Sequence, residues 1–138
     1  MLCGKIFKDC VHGGTKKMIL KICIDFDGVI HSYYSGWRGY GIAADPPVDG
    51  AIEWIREMIE DPQLEPLIYS SRSQYEDGVR AMKTFLFKNG LNCEEIAKLG
   101  FPKEKPEAFL TIDDRAICFK GKFPTLDEIK TFKSWNKK

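Results

Sequence analysis

The sequence predicts an α/β protein built as a three-layer Rossmann-like parallel sheet flanked by helices. Three short apolar runs, residues 19–24, 66–69 and 108–112, are predicted strands, and the first is typical of a strand that is buried on both faces. Segments with helical periodicity separate these runs, and strands that alternate with helices indicate a parallel sheet with right-handed crossovers. The length of 138 residues matches one domain with its own core.

The first half of the chain holds a strand, a loop and a helix. Residues 19–24 form the first predicted strand. Residues 31–47 combine glycine, proline and aromatic residues, which is typical of an irregular flap. A helix is predicted from about Asp49 to Asp61-Pro62, because isoleucines at 52, 55 and 59 share one face.

The second half continues the alternation. A strand over 66–69 is followed by a helix over about 75–88, which Asn89-Gly90 ends. A short helix from Glu94 and a short strand near 99–101 come next. Residues 108–112 form a third strong strand, and residues 116–119 are interpreted as a further one. A capping box over Thr125–Glu128 starts a last helix, for which we expect Leu126, Ile129 and Phe132 to face inward.

Composition and charge exclude several classes. A hydrophobic fraction of 43% and a charged fraction of 30% are typical of a globular domain and exclude a disordered chain or a coiled coil. No apolar run approaches the roughly 18 residues of a membrane helix, so no membrane partner is expected. The net charge of +1 combines basic ends, +3 over residues 1–18 and +4 over residues 130–138, with an acidic body of −6.

The five cysteines favour a reducing compartment. Their number is odd and no C-x-x-C pair occurs, so a disulfide framework is not expected and a cytoplasmic location is. Cys23 and Cys118 lie in apolar runs and are predicted to be buried. Cys3, Cys10 and His12 lack a fourth ligand, which argues against zinc. Residues 1–17 are interpreted as a flexible extension without a signal peptide, and residues 18–138 as the domain.

Paired acids follow two of the strongest strands. Asp25 and Asp27 come after the first strand, and Asp113 and Asp114 come after residues 108–112. Strand ends at the carboxyl edge of a parallel sheet lie close together, so we expect the four carboxylates to converge. Such a cluster repels itself unless a cation binds, and oxygen ligands without histidine suit Mg²⁺ better than zinc. An isolated aspartate at a strand end is otherwise a turn or cap residue.

Other polar residues fit phosphate chemistry. Ser70 follows the second strand, where a hydroxyl and backbone amides can hold a phosphate oxygen, although a helix N-cap is an equal alternative. Lys105 precedes the third strand and could bring a cation to a phosphoryl group, or could be a solvated turn lysine. Gly28 permits a sharp turn after Asp25 and Asp27, so one carboxylate can act as nucleophile and the other as general acid.

These motifs resemble the haloacid dehalogenase (HAD) superfamily of phosphohydrolases. Its D-x-D-x-[TV] motif matches Asp25-Phe26-Asp27-Gly28-Val29, its Ser/Thr motif matches Ser70, its lysine matches Lys105, and its acidic pair matches Asp113-Asp114. The resemblance covers roughly residues 18–135. Ser71 is an alternative to Ser70, and Lys103 to Lys105. Ser70-Ser71-Arg72 is also similar to the Thr-Gly-Arg of polynucleotide 3′-phosphatases, which nominates Arg72 as a substrate contact rather than a plain surface arginine.

The resemblance implies the role of each residue. Asp25 would become an aspartyl-phosphate, and Asp27 would protonate the leaving group and then activate water. Mg²⁺ would be held by the Asp25 carboxylate, the Asp27 backbone carbonyl and Asp113, with Asp114 supporting. Ser70 and Lys105 would bind the phosphoryl group.

The short intervals between the motifs leave no room for a separate cap domain, so a small capless member with an open site is expected. Open sites suit an extended phosphorylated substrate, and Trp37, Arg38 and Tyr40 in the flap could stack a base or simply pack the loop over the sheet.

The resulting hypothesis is a Mg²⁺-dependent phosphomonoesterase acting through an aspartyl-phosphate, with nucleotides, nucleic-acid ends or other extended phosphorylated molecules as substrates. A non-catalytic HAD-like domain that binds phosphorylated or nucleic-acid partners is the alternative, since the basic ends could contact nucleic acid. A receiver-type signalling domain fits poorly, because its acidic pair follows the first strand. Neither the substrate nor the oligomeric state follows from the sequence.

Overall fold

The computed structural model describes residues 18–136. The predictions made for residues 1–17, including the extension and the cluster of Cys3, Cys10 and His12, lie outside the described residues. Within them, three strands form one open, all-parallel sheet: β1 (Leu20–Ile24), β2 (Leu64–Ile68) and β3 (Leu110–Ile112). The strand order β2-β1-β3 places β1 in the centre. The predicted parallel α/β sheet is therefore confirmed.

The register of the sheet brings the ends of the strands to one edge. Ile24 of β1 lies beside Ile68 of β2 and Ile112 of β3, so the residues that follow all three strands emerge together. The predicted short strand near 99–101 is a single parallel bridge between Gly100 and Leu67. The Gly100 carbonyl accepts from the Ile68 amide over 2.8 Å, which extends the sheet beyond β2.

Helices connect the strands. Helix α1 (Ala51–Glu60) joins β1 to β2, and a 3₁₀ turn (Ser71–Gln74), α2 (Glu76–Lys88) and α3 (Cys93–Ala97) lie between β2 and β3. Helix α4 (Leu126–Lys130) follows the sheet. The apolar faces of α1 and α2 were predicted correctly, because Ile52, Ile55, Met82 and Leu86 are buried. Residues 31–47 form the predicted irregular flap.

The core lies between the sheet and these helices. Its centre consists of fully buried side chains from β1, β2, α1 and α2 and from the loop after β1, namely Ile24, Phe26, Ile30, Ile55, Ile68, Met82 and Leu86. Burying a large aliphatic or aromatic side chain stabilises a fold by about 1.5–3 kcal/mol. The core therefore fixes the carboxyl edge from which the candidate site residues project. Among the helices of residues 18–136, none is both long and apolar enough to cross a lipid bilayer.

Three predictions for the C-terminal part are wrong. Residues 116–119 form no strand, because the outer edge of β3 has no partner there and Ile117 and Phe119 are exposed. Leu126, Ile129 and Phe132 were expected to face inward, yet all three are exposed. Cys118 is exposed as well, whereas Cys23 is buried as expected. In each case an apolar pattern predicted burial, but the side chains of this part of residues 18–136 are exposed.

Candidate active site

Three carboxylates meet where β1 and β3 end. Asp25 follows β1, and Asp113 and Asp114 follow β3. The Asp25 amide donates to the Ile112 carbonyl over 2.9 Å, which continues the pairing of β1 with β3 by one residue. One oxygen from each of Asp25, Asp113 and Asp114 can be chosen so that all lie within 4.8 Å of one another. The predicted convergence therefore holds for these three side chains.

The electrostatics of this carboxylate cluster centre on Asp25. Burial, the charge of Asp113 and a hydrogen bond with Asp114 together raise the pKa of Asp25 to about 8. Asp114 adds to the negative charge that nothing offsets in this cluster, because its buried Oδ1 has no hydrogen-bond partner among the described residues. An oxygen without a hydrogen-bond partner thus lies beside an aspartate whose raised pKa keeps it protonated. A bound cation would interact with that oxygen and favour the negatively charged form of the aspartate.

Gly28 makes the close approach of Asp114 possible. Its backbone has φ +90°, a left-handed conformation that glycine adopts without strain. A Cβ atom at position 28 would overlap the Asp114 carboxylate. Because Gly28 has no side chain, Asp114, which follows β3, can approach Asp25, which follows β1.

Asp27 is not one of the three clustered carboxylates, because its oxygens bond other side chains, although it lines the same cavity as Asp25 and Asp113. Its Oδ1 lies 2.8 Å from His31 Nδ1 and accepts from Arg72 Nη2 over 3.1 Å, and its Oδ2 accepts from Arg72 Nε over 2.9 Å. Burial alone would raise the pKa of Asp27, but the hydrogen bonds from His31 and Arg72 outweigh it and lower the pKa below its usual range. Asp27 is therefore a carboxylate at neutral pH.

His31 is a site residue that the sequence analysis missed. Its ring is buried, and its Nε2 accepts the backbone N–H of Asp45 over 3.0 Å. That bond assigns the hydrogen to Nδ1, which donates it to Asp27. His31 therefore connects the D-x-D loop to the flap. The only signal in the sequence was its spacing of four residues from Asp27.

Arg72 is fully buried, which excludes the alternative of a plain surface arginine. Besides Asp27, its guanidinium donates from Nη1 to the carbonyls of Gly39 over 3.1 Å and Tyr40 over 2.7 Å. Gly78 of α2 permits this placement, because a Cβ there would overlap the Arg72 carbonyl. Arg72 thus positions Asp27 and the flap, while direct contact with substrate stays a prediction.

Ser70 and Ser71 lie at the carboxyl end of β2. The Ser70 hydroxyl accepts the Arg72 amide over 3.0 Å and so caps the 3₁₀ turn. The alternative that Ser70 caps the helix from residue 74 onward is wrong, because α2 begins after Tyr75 and has no side-chain cap. Both serines also line a cavity of about 410 Å³ together with Asp25, Asp27, Asp113 and Arg115. The predicted serine motif and three of the predicted acids therefore face one space, with the cation of Arg115 beside them.

The two candidate lysines lie in different places. Burial raises the pKa of the Cys23 thiol in β1, and the charge of Lys105 opposes that rise. Lys105 itself is exposed and does not line the cavity at Asp25. Lys103 lines a separate groove beside α2. The phosphate role of Lys105 stays a prediction, and Arg115, which the sequence analysis did not single out, lines the cavity instead.

The C-terminal segment returns to the site. Trp135 Nε1 donates to the Gly28 carbonyl over 2.7 Å, and Asn136 Nδ2 donates to the Ser32 carbonyl over 3.0 Å. These two bonds hold the backbone that carries Asp27 and His31. The C-terminal end of the domain therefore helps to fix the loop after β1.

The chain was compared with protein-family models, with curated proteins and with solved structures, and none of the three comparisons returned a match.

Proposed function

We propose that this protein is a Mg²⁺-dependent phosphohydrolase of the HAD type, acting on phosphomonoesters through an aspartyl-phosphate on Asp25. The observation that carries the proposal is the meeting of Asp25, Asp113 and Asp114 at the edge of the sheet, where Asp25 and Asp113 line a cavity together with Ser70. The family resemblance requires an acidic motif, then a serine, then an acidic pair, and Asp25, Ser70 and Asp113-Asp114 follow β1, β2 and β3 in that order along the chain.

The residues present fit a hard divalent cation. The donor set is all oxygen, which suits Mg²⁺, and the unpartnered buried oxygen of Asp114 and the raised pKa of Asp25 both mark an excess of negative charge. Asp25 and Asp113 would hold the ion with the backbone carbonyl of Asp27, and Asp114 would support them. When bound, Mg²⁺ supplies positive charge that offsets the carboxylates and the oxygens of the transferred phosphoryl group.

The chemistry at Asp25 is a double displacement. One carboxylate oxygen of Asp25 attacks phosphorus, the bond from phosphorus to the leaving oxygen breaks, and an aspartyl-phosphate forms. Water then attacks phosphorus, the bond to Asp25 breaks, and inorganic phosphate leaves. Ser70 and Ser71 line the cavity in which the phosphoryl oxygens would lie, and Arg115 adds positive charge beside them.

Asp27 has the protonation state that the second step requires. Its lowered pKa makes it a carboxylate, which can accept the proton of the attacking water. Protonating the leaving oxygen in the first step requires Asp27 to take up a proton against the pull of Arg72 and His31. Aryl phosphates need that proton least, because their leaving groups are stable anions, so they are the substrates of choice for a first assay.

The test is phosphate release from an aryl phosphate with and without Mg²⁺. Asp25→Asn should lower the turnover by at least about 10³-fold, as expected for loss of a nucleophile. Glu57→Gln, an exposed residue of α1, is the matched control and should leave turnover unchanged. Equal turnover by Asp25→Asn and Glu57→Gln would reject the mechanism. Absence of turnover with any phosphomonoester would favour the non-catalytic alternative.

A further inference from the structure

Three exposed aromatic rings pack in a row, and two of these residues contact Arg72, the residue that holds Asp27. Trp37 and Tyr40 belong to the flap, and Tyr75 precedes α2. The ring centroids of Trp37 and Tyr40 are 4.9 Å apart, and those of Tyr40 and Tyr75 are 4.1 Å apart. Between 38% and 46% of each side chain is exposed, so the row presents ring surface to solvent.

The aromatic row is linked to the loop after β1, which carries Asp27, through Arg72. The guanidinium carbon lies 4.9 Å from the Trp37 ring centroid, a cation–π distance, and the guanidinium donates to the Tyr40 carbonyl. The same guanidinium holds Asp27. The row therefore has a fixed position relative to the cavity that contains Asp25.

A basic groove begins at Tyr75, the residue whose ring packs against Tyr40 of the aromatic row. This groove of about 620 Å³ is lined by Tyr75, Arg80, Lys83, Phe101 and Lys103, with Glu76 as its acid. Because Arg80 is already paired with Asp77 over 2.9 Å, Lys83 and Lys103 supply the positive charge for a phosphate backbone. Lys83 Nζ lies 5.2 Å from the Phe101 ring centroid. Phe101 directly follows Gly100, the bridge partner of β2, so the groove opens at the carboxyl end of β2, where Ser70 also lies.

We propose that the aromatic row and the basic groove bind a single-stranded nucleic acid whose phosphorylated end enters the cavity at Asp25. Exposed rings offer stacking surfaces to any base, and lysines along a groove follow the phosphate backbone. A duplex would not fit this use, since its bases are already stacked on one another. A mononucleotide would use the rings and leave the lysines of the groove without a ligand. Binding of the nucleic acid does not depend on the proposed function. Release of its terminal phosphate does, so that part of the inference rests on the proposed function.

The binding test uses the full chain and a ten-nucleotide, fluorescein-labelled oligonucleotide without a terminal phosphate. Fluorescence anisotropy is recorded over a series of salt concentrations. Lys83→Gln should reduce the slope of log K against log salt by about 0.7, the value for one lost contact to a single strand. Tyr75→Ala should weaken binding by about 5- to 10-fold with little change in slope. Lys98→Gln, an exposed lysine outside the groove, is the matched control.

The outcomes separate the groove from the catalytic proposal. Asp25→Asn should bind this oligonucleotide as the wild type does, but it should no longer release phosphate from the same oligonucleotide made with a 3′- or 5′-phosphate. Oligonucleotide binding that depends on Lys83 and Tyr75, without release of any phosphate, would support the groove and reject the phosphohydrolase. Binding that is absent, or equally weakened by Lys98→Gln and Lys83→Gln, would overturn the groove even if aryl phosphate is hydrolysed. Preference for a phosphopeptide over the oligonucleotide would also overturn it.

Discussion

Arg72 holds Asp27 with two parallel hydrogen bonds, from Nε to Oδ2 over 2.9 Å and from Nη2 to Oδ1 over 3.1 Å. This bidentate pair joins the loop after β1 to the turn after β2. Because the same guanidinium also bonds the carbonyls of Gly39 and Tyr40, the D-x-D loop and the flap share one anchor. The geometry of Asp27 therefore depends on a residue far from it in sequence.

Replacing Arg72 by glutamine should destabilise the protein by about 3 kcal/mol or more, because Asp27 would be left largely buried and without its cation. Urea unfolding measures the change. Arg80→Gln is the matched control, since Arg80 pairs with Asp77 at an exposed site and such pairs contribute less than about 1 kcal/mol. Equal losses in the two variants would contradict the anchoring role of Arg72.

Asp25→Asn should stabilise the metal-free protein near pH 8. The pKa of Asp25 is raised from 3.8 to about 8, so between these values the folded form binds a proton that the unfolded form has released. Stability from this group is therefore present at low pH and lost as the pH rises toward 8. Thermal unfolding in EDTA from pH 5 to pH 8 should show a smaller loss in Asp25→Asn than in the wild type. The reverse order would contradict the raised pKa.

Mg²⁺ should raise the unfolding temperature of the wild type and have less effect on Asp25→Asn. The ion binds the folded site, so it stabilises by mass action, and it must displace the proton on Asp25. The shift should therefore be larger at pH 8 than at pH 6. Glu57→Gln serves again as the surface control and should respond to Mg²⁺ as the wild type does. An identical shift in Asp25→Asn would exclude Asp25 as a ligand.

Gly28→Ala should cost more than Gly36→Ala. Both glycines have positive φ, 90° and 77°, so both variants incur backbone strain of about 1–2 kcal/mol. At Gly36 a new Cβ meets no atom within 4 Å, whereas at Gly28 it overlaps the Asp114 carboxylate. The difference in unfolding free energy isolates that overlap, which we expect to be about 1–3 kcal/mol. Equal costs would mean that Asp114 does not lie against Gly28.

Asp27→Asn should affect alkyl phosphates more than aryl phosphates. Without a group that can carry a proton, the alkyl leaving group departs unassisted, and the rate should fall by about 10²-fold or more. Aryl phosphates should lose less, because their leaving groups need less help. The kcat/KM values of the two substrate classes, compared with those of the wild type, give the result. Equal losses for both classes would argue against proton transfer by Asp27.

The elements that the sequence predicted correctly are those whose apolar residues pair or pack with another element of the fold. The apolar runs of β1 and β2 pair with each other, and the isoleucines of α1 face the core, so these elements form as expected. The convergence of Asp25 with Asp113 and Asp114 followed from parallel strands ending at one edge. These features depend on local pattern and on the topology of a parallel sheet, both of which are visible in the sequence.

The features that were missed depend on contacts between distant residues. Arg72 looked like a substrate contact or a surface residue, and only its approach to Asp27 and the flap shows that it is buried. His31 carried no motif and gains its place from Asp27 and Asp45. The apolar residues 116–119 looked like a strand, but a strand also needs a neighbour with free backbone groups, and no neighbour pairs with them within residues 18–136.

The central claim is that Asp25 carries the phosphoryl group during turnover. Borohydride reduces an acyl phosphate to an alcohol, so rapid mixing of enzyme, Mg²⁺ and aryl phosphate, followed by borohydride and peptide mass spectrometry, marks the residue that was phosphorylated. We expect the modification at Asp25, and only when both substrate and Mg²⁺ are present. Asp27→Asn should show more modified Asp25, because hydrolysis of the intermediate should be slower without the carboxylate of Asp27. Turnover with Asp25 unmodified, or modification at a different aspartate, would contradict the account.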